Sequence, residues 1–119
     1  MSKNKHDLIV IGAGSGGLGA ALGMLKLGFR VLLIDRKAAN FGGECVNTGC
    51  IPSKALIHVA NQIHCANTAS RFGFESTGKV DFLKIKEYIR EKQERILKHE
   101  NPEYLKKQGM HIILGTASF

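Results

Sequence analysis

The sequence is short of the features that would place it in several common classes. No apolar run reaches the ~18 residues a membrane span needs. Residues 8–27, preceded by Lys3 and Lys5, superficially resemble a signal peptide, but Asp7 stands at their start and glycines recur between Gly12 and Gly23. A soluble, cytoplasmic chain with no membrane partner is expected. Cysteine is scarce: Cys45, Cys50 and Cys65 are an odd number without a dense framework, which argues against a disulfide-stapled secreted domain. Internal repeats and low-complexity tracts are absent. So are an aromatic RNA-binding signature and zinc-finger spacing.

What remains is ordinary globular composition, 44% hydrophobic and 23% charged over 119 residues, enough for one domain. Lys plus Arg is 17 and Asp plus Glu is 10, so the formal net charge is +7. A basic balance suits nucleic acid, a membrane surface or an anionic cofactor. Eight of the 17 basic residues lie in residues 84–107, interleaved with Glu87, Glu91, Glu94, Glu100 and Glu103, the pattern of a solvated helix face. No nucleic-acid partner is expected. The rival is a basic module over residues 82–109, which salt would weaken steeply.

Along the chain, Leu8-Ile9-Val10-Ile11 reads as a fully buried parallel strand. Residues 18–27 carry apolar positions at helical spacing and stop at Gly28, and residues 31–34 are a second buried-strand run ending at Asp35. Residues 38–44 form a loop, and a helix is expected over residues 45–69, with Pro52 in its first turn. After a loop over residues 71–79, Asp81 caps a helix, Pro102 restarts a short one that Gly109 ends, and residues 110–114 are a third strand.

The first turn, Gly12-Ala13-Gly14-Ser15-Gly16-Gly17, satisfies G-x-G-x-x-G between a strand and a helix. Gly12 permits the tight turn, Gly14 lets the backbone approach a pyrophosphate, and Gly17 lets the helix pack close to the strand. Phosphates then meet free N–H groups at the helix start. Asp35, at the next strand end, can accept ribose hydroxyls, while Arg36 could meet a 2′-phosphate. The turn alone leaves FAD, NAD and NADP open.

Cys45 and Cys50 straddle Gly49 and lead into a helix. A bend there can bring them to disulfide distance. The helix start, with Lys54 nearby, is expected to lower a thiol pKa. Two other readings are a pair of buried free thiols, or a zinc site made with His58, His64 and Cys65.

The segment Gly42-Gly43-Glu44-Cys45-Val46-Asn47-Thr48-Gly49-Cys50-Ile51-Pro52-Ser53-Lys54 resembles the redox-active signature of the class I pyridine nucleotide–disulfide oxidoreductases. Gly115-Thr116-Ala117-Ser118-Phe119 is similar to that family's G-x-A-x-F strand, and the likeness runs over nearly the whole chain. Ser53-Lys54-Ala55-Leu56 and the segment from Asn101 to Gly109 lean towards its mercuric reductase-like and dihydrolipoamide dehydrogenase-like branch. The resemblance implies an α/β, Rossmann-like FAD/NAD(P)-binding fold with an incomplete parallel sheet flanked by helices. Residues 1–119 would be the N-terminal part of an FAD-binding domain, with a redox helix over 45–69 and a helical excursion over 81–108.

The resemblance also implies roles. FAD would lie on Gly12, Gly14 and Gly17, its ribose on Asp35 beside Arg36, with Gly42 and Gly43 at the cofactor, Thr116 and Ala117 at the adenine, and Lys54 near the flavin. Cys50 would be the charge-transfer thiol and Cys45 the thiol that attacks substrate. Cys65 would be a structural thiol, and the five histidines surface or helix-face residues. Electrons would run from NAD(P)H through FAD to the disulfide, then to a disulfide or metal-ion substrate, in a homodimeric enzyme. The family's second glycine motif and its catalytic histidine are expected beyond these residues, so the chain by itself is expected to be inactive. A rival reading is a flavin-binding piece with no catalysis. One departure stands out: Glu44 occupies a position where the family commonly has threonine.

Overall fold

The structure is a computed structural model that describes residues 5–119; residues 1–4, Lys3 among them, lie outside the described residues. Strand β1 (Leu8–Ile11) runs into helix α1 (Ser15–Lys26), which returns to β2 (Val31–Asp35). A short 3-10 turn (Ala38–Asn40) leads to α2 (Gly43–Asn47) and α3 (Cys50–Thr68). A second 3-10 turn (Ala69–Phe72) precedes α4 (Phe82–Glu100), α5 (Pro102–Lys107) and β3 (His111–Leu114). The strands form one parallel sheet in the order β1-β2-β3, with Leu8 opposite Val31 and Leu32 opposite His111. This is the expected α/β fold with a small parallel sheet.

Most boundaries fall near their expected places, and the exceptions have local causes. Helix α1 begins at Ser15, before the first apolar position, because Gly14 already acts as its N-cap with extended backbone. The loop expected over residues 38–44 is instead a 3-10 turn plus the start of α2. The helix expected over residues 45–69 is two helices, broken at Thr48 and Gly49. There Thr48 N–H and Gly49 N–H both donate to Glu44 O (2.9 and 2.6 Å), which closes α2 before the next turn can form. Asp81 caps α4 as expected, accepting from Leu83 N–H at 2.9 Å.

The core lies on one face of the sheet. Leu18 and Ala21 of α1, Leu105 of α5, Phe41 and Met110 bury themselves against Val31 and Leu33. Leu8 and Val10 point to the same side. The other face is a correction to the buried-strand expectation. Alternation along a strand sends Ile9 and Ile11 the opposite way, and they are 56% and 54% exposed. Ile113 of β3 is also half-exposed on that face. Helices α1 and α5 cover only the first face, so β1 is buried on one side alone, whereas central β2 keeps Val31, Leu32 and Leu33 all buried.

Helices α3 and α4 pack as a long hairpin away from this core. The principal extents are 74 × 26 × 23 Å. Among the described residues no helix is long and apolar enough to cross a membrane.

Candidate functional site

The motif glycines serve different needs. Gly12 turns the chain out of β1 with φ +103°, a conformation side chains resist. A Cβ at Gly17 would run into Gly12 O and lie 3.2 Å from Val10 Cγ1, so α1 packs on the strand only without one. Gly14 is different. Its backbone is extended (φ −79°, ψ −179°), and an added Cβ would meet only Gly43 Cα, at 3.8 Å. Nothing within the protein demands glycine there. Ahead of Leu18 N–H, which gives the first helical bond to Gly14 O (2.8 Å), lie the first-turn N–H groups of Ser15, Gly16 and Gly17.

Two adjoining cavities open at this turn, at the C-terminal ends of the strands. One, of about 350 Å³, is lined by Gly12, Asp35, Arg36, Asn40, Thr116 and Ala117 among others. Gly115 N–H donates to Asp35 O (2.8 Å), which fixes the last segment beside β2. The other, of about 340 Å³, is lined by Gly14, Gly43, Glu44 and Asn47 among others, and shares Asp35, Arg36 and Asn40 with the first. A crevice at strand ends is where open α/β sheets take ligands.

The Asp35 carboxylate is part of the wall and of the turn. Oδ2 accepts from Ala13 N–H (2.8 Å), and Oδ1 accepts from the Asn40 amide (2.8 Å) and weakly from Lys37 N–H (3.4 Å). Burial pushes its pKa up, but these bonds and the Arg36 N–H outweigh it and leave the group below the usual carboxylate range. It is therefore anionic at neutral pH and keeps acceptor capacity, since a carboxylate offers about four lone-pair sites.

Behind the second cavity the chain doubles back on the glycine turn. Gly42 N–H donates to Ala13 O at 3.0 Å, and a Cβ on Gly43 (φ +64°) would sit 2.7 Å from Gly14 Cα. Gly42 is buried and its N–H is spent inside the protein; Gly43 lines the cavity. This packing sets the start of α2, the helix that carries Cys45, against the phosphate-type turn.

Cys45 is half-buried in α2, and Cys50 is exposed as the first residue of α3; both are free thiols. The expected lowering of a thiol pKa is corrected for Cys50. Its interaction with the Cys45 thiol and the charge of a Cys45 thiolate push it up, slight desolvation adds to this, and its own backbone and Lys54 pull only weakly the other way. Two neighbouring thiols resist losing both protons. Lys54 stands one helical turn beyond Cys50 and lines neither of the two cavities.

Two residue groups therefore emerge: the glycine turn with Asp35, Arg36, Gly43, Thr116 and Ala117, and the thiol pair with Lys54. Cys65 is exposed on α3 rather than a packed structural thiol, because its helix turns it to solvent. Among the described residues no group of three or more His, Cys, Asp or Glu side chains is gathered as for a metal ion. Cys45, Cys50, His58, His64 and Cys65 thus form no such cluster. An apolar groove of about 380 Å³ between α3 and α4 shares no lining residue with the two cavities.

Three site residues were not singled out in the sequence. Asn40 holds Asp35, Asn47 ties α2 back to Phe41 O (3.1 Å) and Gly43 O (2.8 Å), and Gln93 reaches α2 from α4. Asn47 lies inside the cysteine signature; the other two carry no local signal, since folding alone brings them there.

Known proteins share this arrangement. The profile of the pyridine nucleotide-disulphide oxidoreductase family matches residues 6–118. The dihydrolipoyl dehydrogenase of Thermus scotoductus is 45% identical over 80 residues, 67% of this chain and 17% of that protein. The glutathione reductase of Debaryomyces hansenii is 33% identical over 122 residues, 97% of this chain and 24% of that protein. A solved Cu(II) complex of the HOCl-induced flavoprotein disulfide reductase RclA from Escherichia coli superposes with a TM-score of 0.70 at 28% identity, covering 95% of this chain and 22% of that one. The chain spans under a quarter of the length of these relatives. With a profile that matches residues 6–118 and a shared fold, the chain belongs to the pyridine nucleotide–disulfide oxidoreductase family.

Proposed function

We propose that this chain holds FAD across the glycine turn and carries the Cys45–Cys50 pair that takes electrons from it. The enzyme would draw hydride from NAD(P)H and deliver electrons to a disulfide or metal-ion substrate. The carrying observation is Gly14, a glycine with ordinary backbone angles and open space where its Cβ would be, on the wall of a cavity at a helix start. A cofactor approaching the backbone closely accounts for a glycine at this position.

The residues fit FAD. First-turn N–H groups of α1 receive the pyrophosphate, and Arg36 adds positive charge on both cavity walls. The remaining acceptor sites of Asp35 take ribose hydroxyls. Thr116 and Ala117 border the far cavity, where their backbone would meet the adenine. When bound, FAD supplies two-electron transfer between a nicotinamide and a disulfide.

The thiols would then share the substrate step. A Cys45 thiolate attacks a substrate disulfide and forms a mixed disulfide, releasing one substrate thiol. Cys50 attacks that bond, closing the Cys45–Cys50 disulfide and releasing the second thiol. Two electrons leave the protein in that exchange. Lys54 beside Cys50 favours negative charge there. The Escherichia coli relative was solved as a Cu(II) complex, which supports keeping a metal ion beside a disulfide as substrate class. Family habit supports a homodimer in the cytoplasm.

The test is thiol counting with peptide mapping. Air-oxidised protein should expose two fewer thiols than reduced protein, with one cross-linked peptide joining Cys45 to Cys50 and Cys65 free in both states. Free Cys45 and Cys50 after treatment with glutathione disulfide would end the redox reading.

A further inference from the structure

We infer that Gln93 is a positioning residue for the thiol pair: its side-chain amide on α4 clamps the C-terminal end of α2 and so holds Cys45 in reach of Cys50. This rests on the proposed redox role of the two cysteines. Gln93 Nε2 donates to Val46 O and to Asn47 O, both at 2.9 Å, across 47 and 46 residues of sequence.

Those two carbonyls need an outside donor. A helix leaves its last carbonyls without partners. Their helical donors would be Cys50 and Ile51 N–H, but Gly49 N–H turns back to Glu44 O (2.6 Å), the helix breaks there, and α3 starts afresh with Ser53 N–H on Gly49 O (3.1 Å). The break that separates Cys45 from Cys50 is therefore also what strips Val46 and Asn47 of partners. Gln93 supplies both from one nitrogen.

The clamp is anchored on each side. Leu97, one turn beyond Gln93, lies over Gly42, where an added Cβ would come within 3.3 Å of Leu97 Cδ2. Asn47 is tied back to Phe41 and Gly43. Val46 is buried. Glycine packing holds the start of α2, and Gln93 holds its end. Cys45 sits between. A disulfide forms in proportion to the effective concentration of one thiol at the other, so loosening α2 should disfavour the closed form.

The experiment equilibrates the full chain with glutathione and reads the ratio of Cys45–Cys50 disulfide to dithiol. Each closure consumes one glutathione disulfide and yields two glutathione thiols. Gln93→Glu keeps the shape and turns the donor into an acceptor. It should lower the equilibrium constant about tenfold, which is about 30 mV towards a more oxidising couple. Gln93→Lys restores a donor and should stay near wild type. A purely structural role would lower the melting temperature and leave the constant unmoved. Should Gln93→Glu fail to fold, Gln93→Leu gives the same reading. An unchanged constant in the acceptor or apolar variant overturns the inference, and so does an equal fall in Gln93→Lys. If wild type never forms the disulfide, the proposed function falls and takes this inference with it.

Discussion

Asp7 and Arg30 fasten the start of β1 to the start of β2. The Asp7 carboxylate accepts from Arg30 N–H (2.8 Å), Nε (3.1 Å) and NH2 (2.9 Å). The Arg30 side-chain bonds, then its backbone bond, lower the Asp7 pKa from 3.8 to about 2. A depressed carboxyl stabilises the fold above its unfolded value and loses that contribution as pH falls through the folded one. Asp7→Asn should therefore be less stable than wild type at neutral pH, with the gap closing between pH 3.8 and about 2, read from denaturant midpoints along pH. A gap that persists below pH 2 would mean another cause. Glu44 raises a different electrostatic matter, as an exposed carboxylate on the wall of the proposed pyrophosphate cavity. Glu44→Thr should tighten FAD by on the order of 1 kcal/mol, the cost of like charges about 4 Å apart in water. A titration showing no tightening would place Glu44 away from the phosphates. At this scale the sequence was readable where a residue acts through its own backbone, as at Gly12 and Gly17. It was silent where a partner comes from afar. His6 Nε2 meets His111 Nδ1 at 2.7 Å across 105 residues, and Gln93 meets Val46 O across 47, with no pattern to announce either.

Among the elements, those with local punctuation were the legible ones. Strand β1, the glycine turn, β2 and the capped α4 all follow from apolar runs bounded by Gly or Asp. The break between α2 and α3 was legible only in part: Gly49 and Pro52 marked a bend and a helix start, while the bonds to Glu44 O that stop α2 carry no sequence signal. That break sets the two thiols in separate helices. Helix α4 has no fully buried residue, so its cap adds to the support it takes from packing on α3 and α2. Asp81→Ala removes the bond to Leu83 N–H and should cost about 1 kcal/mol, seen as a lower urea midpoint with an unchanged slope. An unchanged midpoint would show that packing on α3 and α2 holds α4 without the cap.

The molecule as a whole is extended. Its radius of gyration is 20.1 Å, against roughly 13–14 Å for a compact domain of this length. Much of the excess comes from the α3–α4 hairpin, near whose outer end Phe72, Phe74 and Phe82 stand exposed. The bare sheet face at Ile9, Ile11 and Ile113 is apolar as well. Composition gave no hint of this, since it counts apolar residues without saying what covers them. Apolar surface of this kind favours association. The cavities at the strand ends are nevertheless built entirely within these residues, so the cofactor claim can be tested on the 119-residue chain itself. The most direct measurement is FAD binding by fluorescence titration, with wild type and Gly14→Ala side by side. The fold accommodates that Cβ at 3.8 Å from its nearest neighbour, so both proteins should melt at similar temperatures. Wild type should bind FAD, NAD should not displace it, and Gly14→Ala should bind more than about tenfold more weakly. Equal FAD affinity in the two proteins would contradict the placement of the cofactor at this turn.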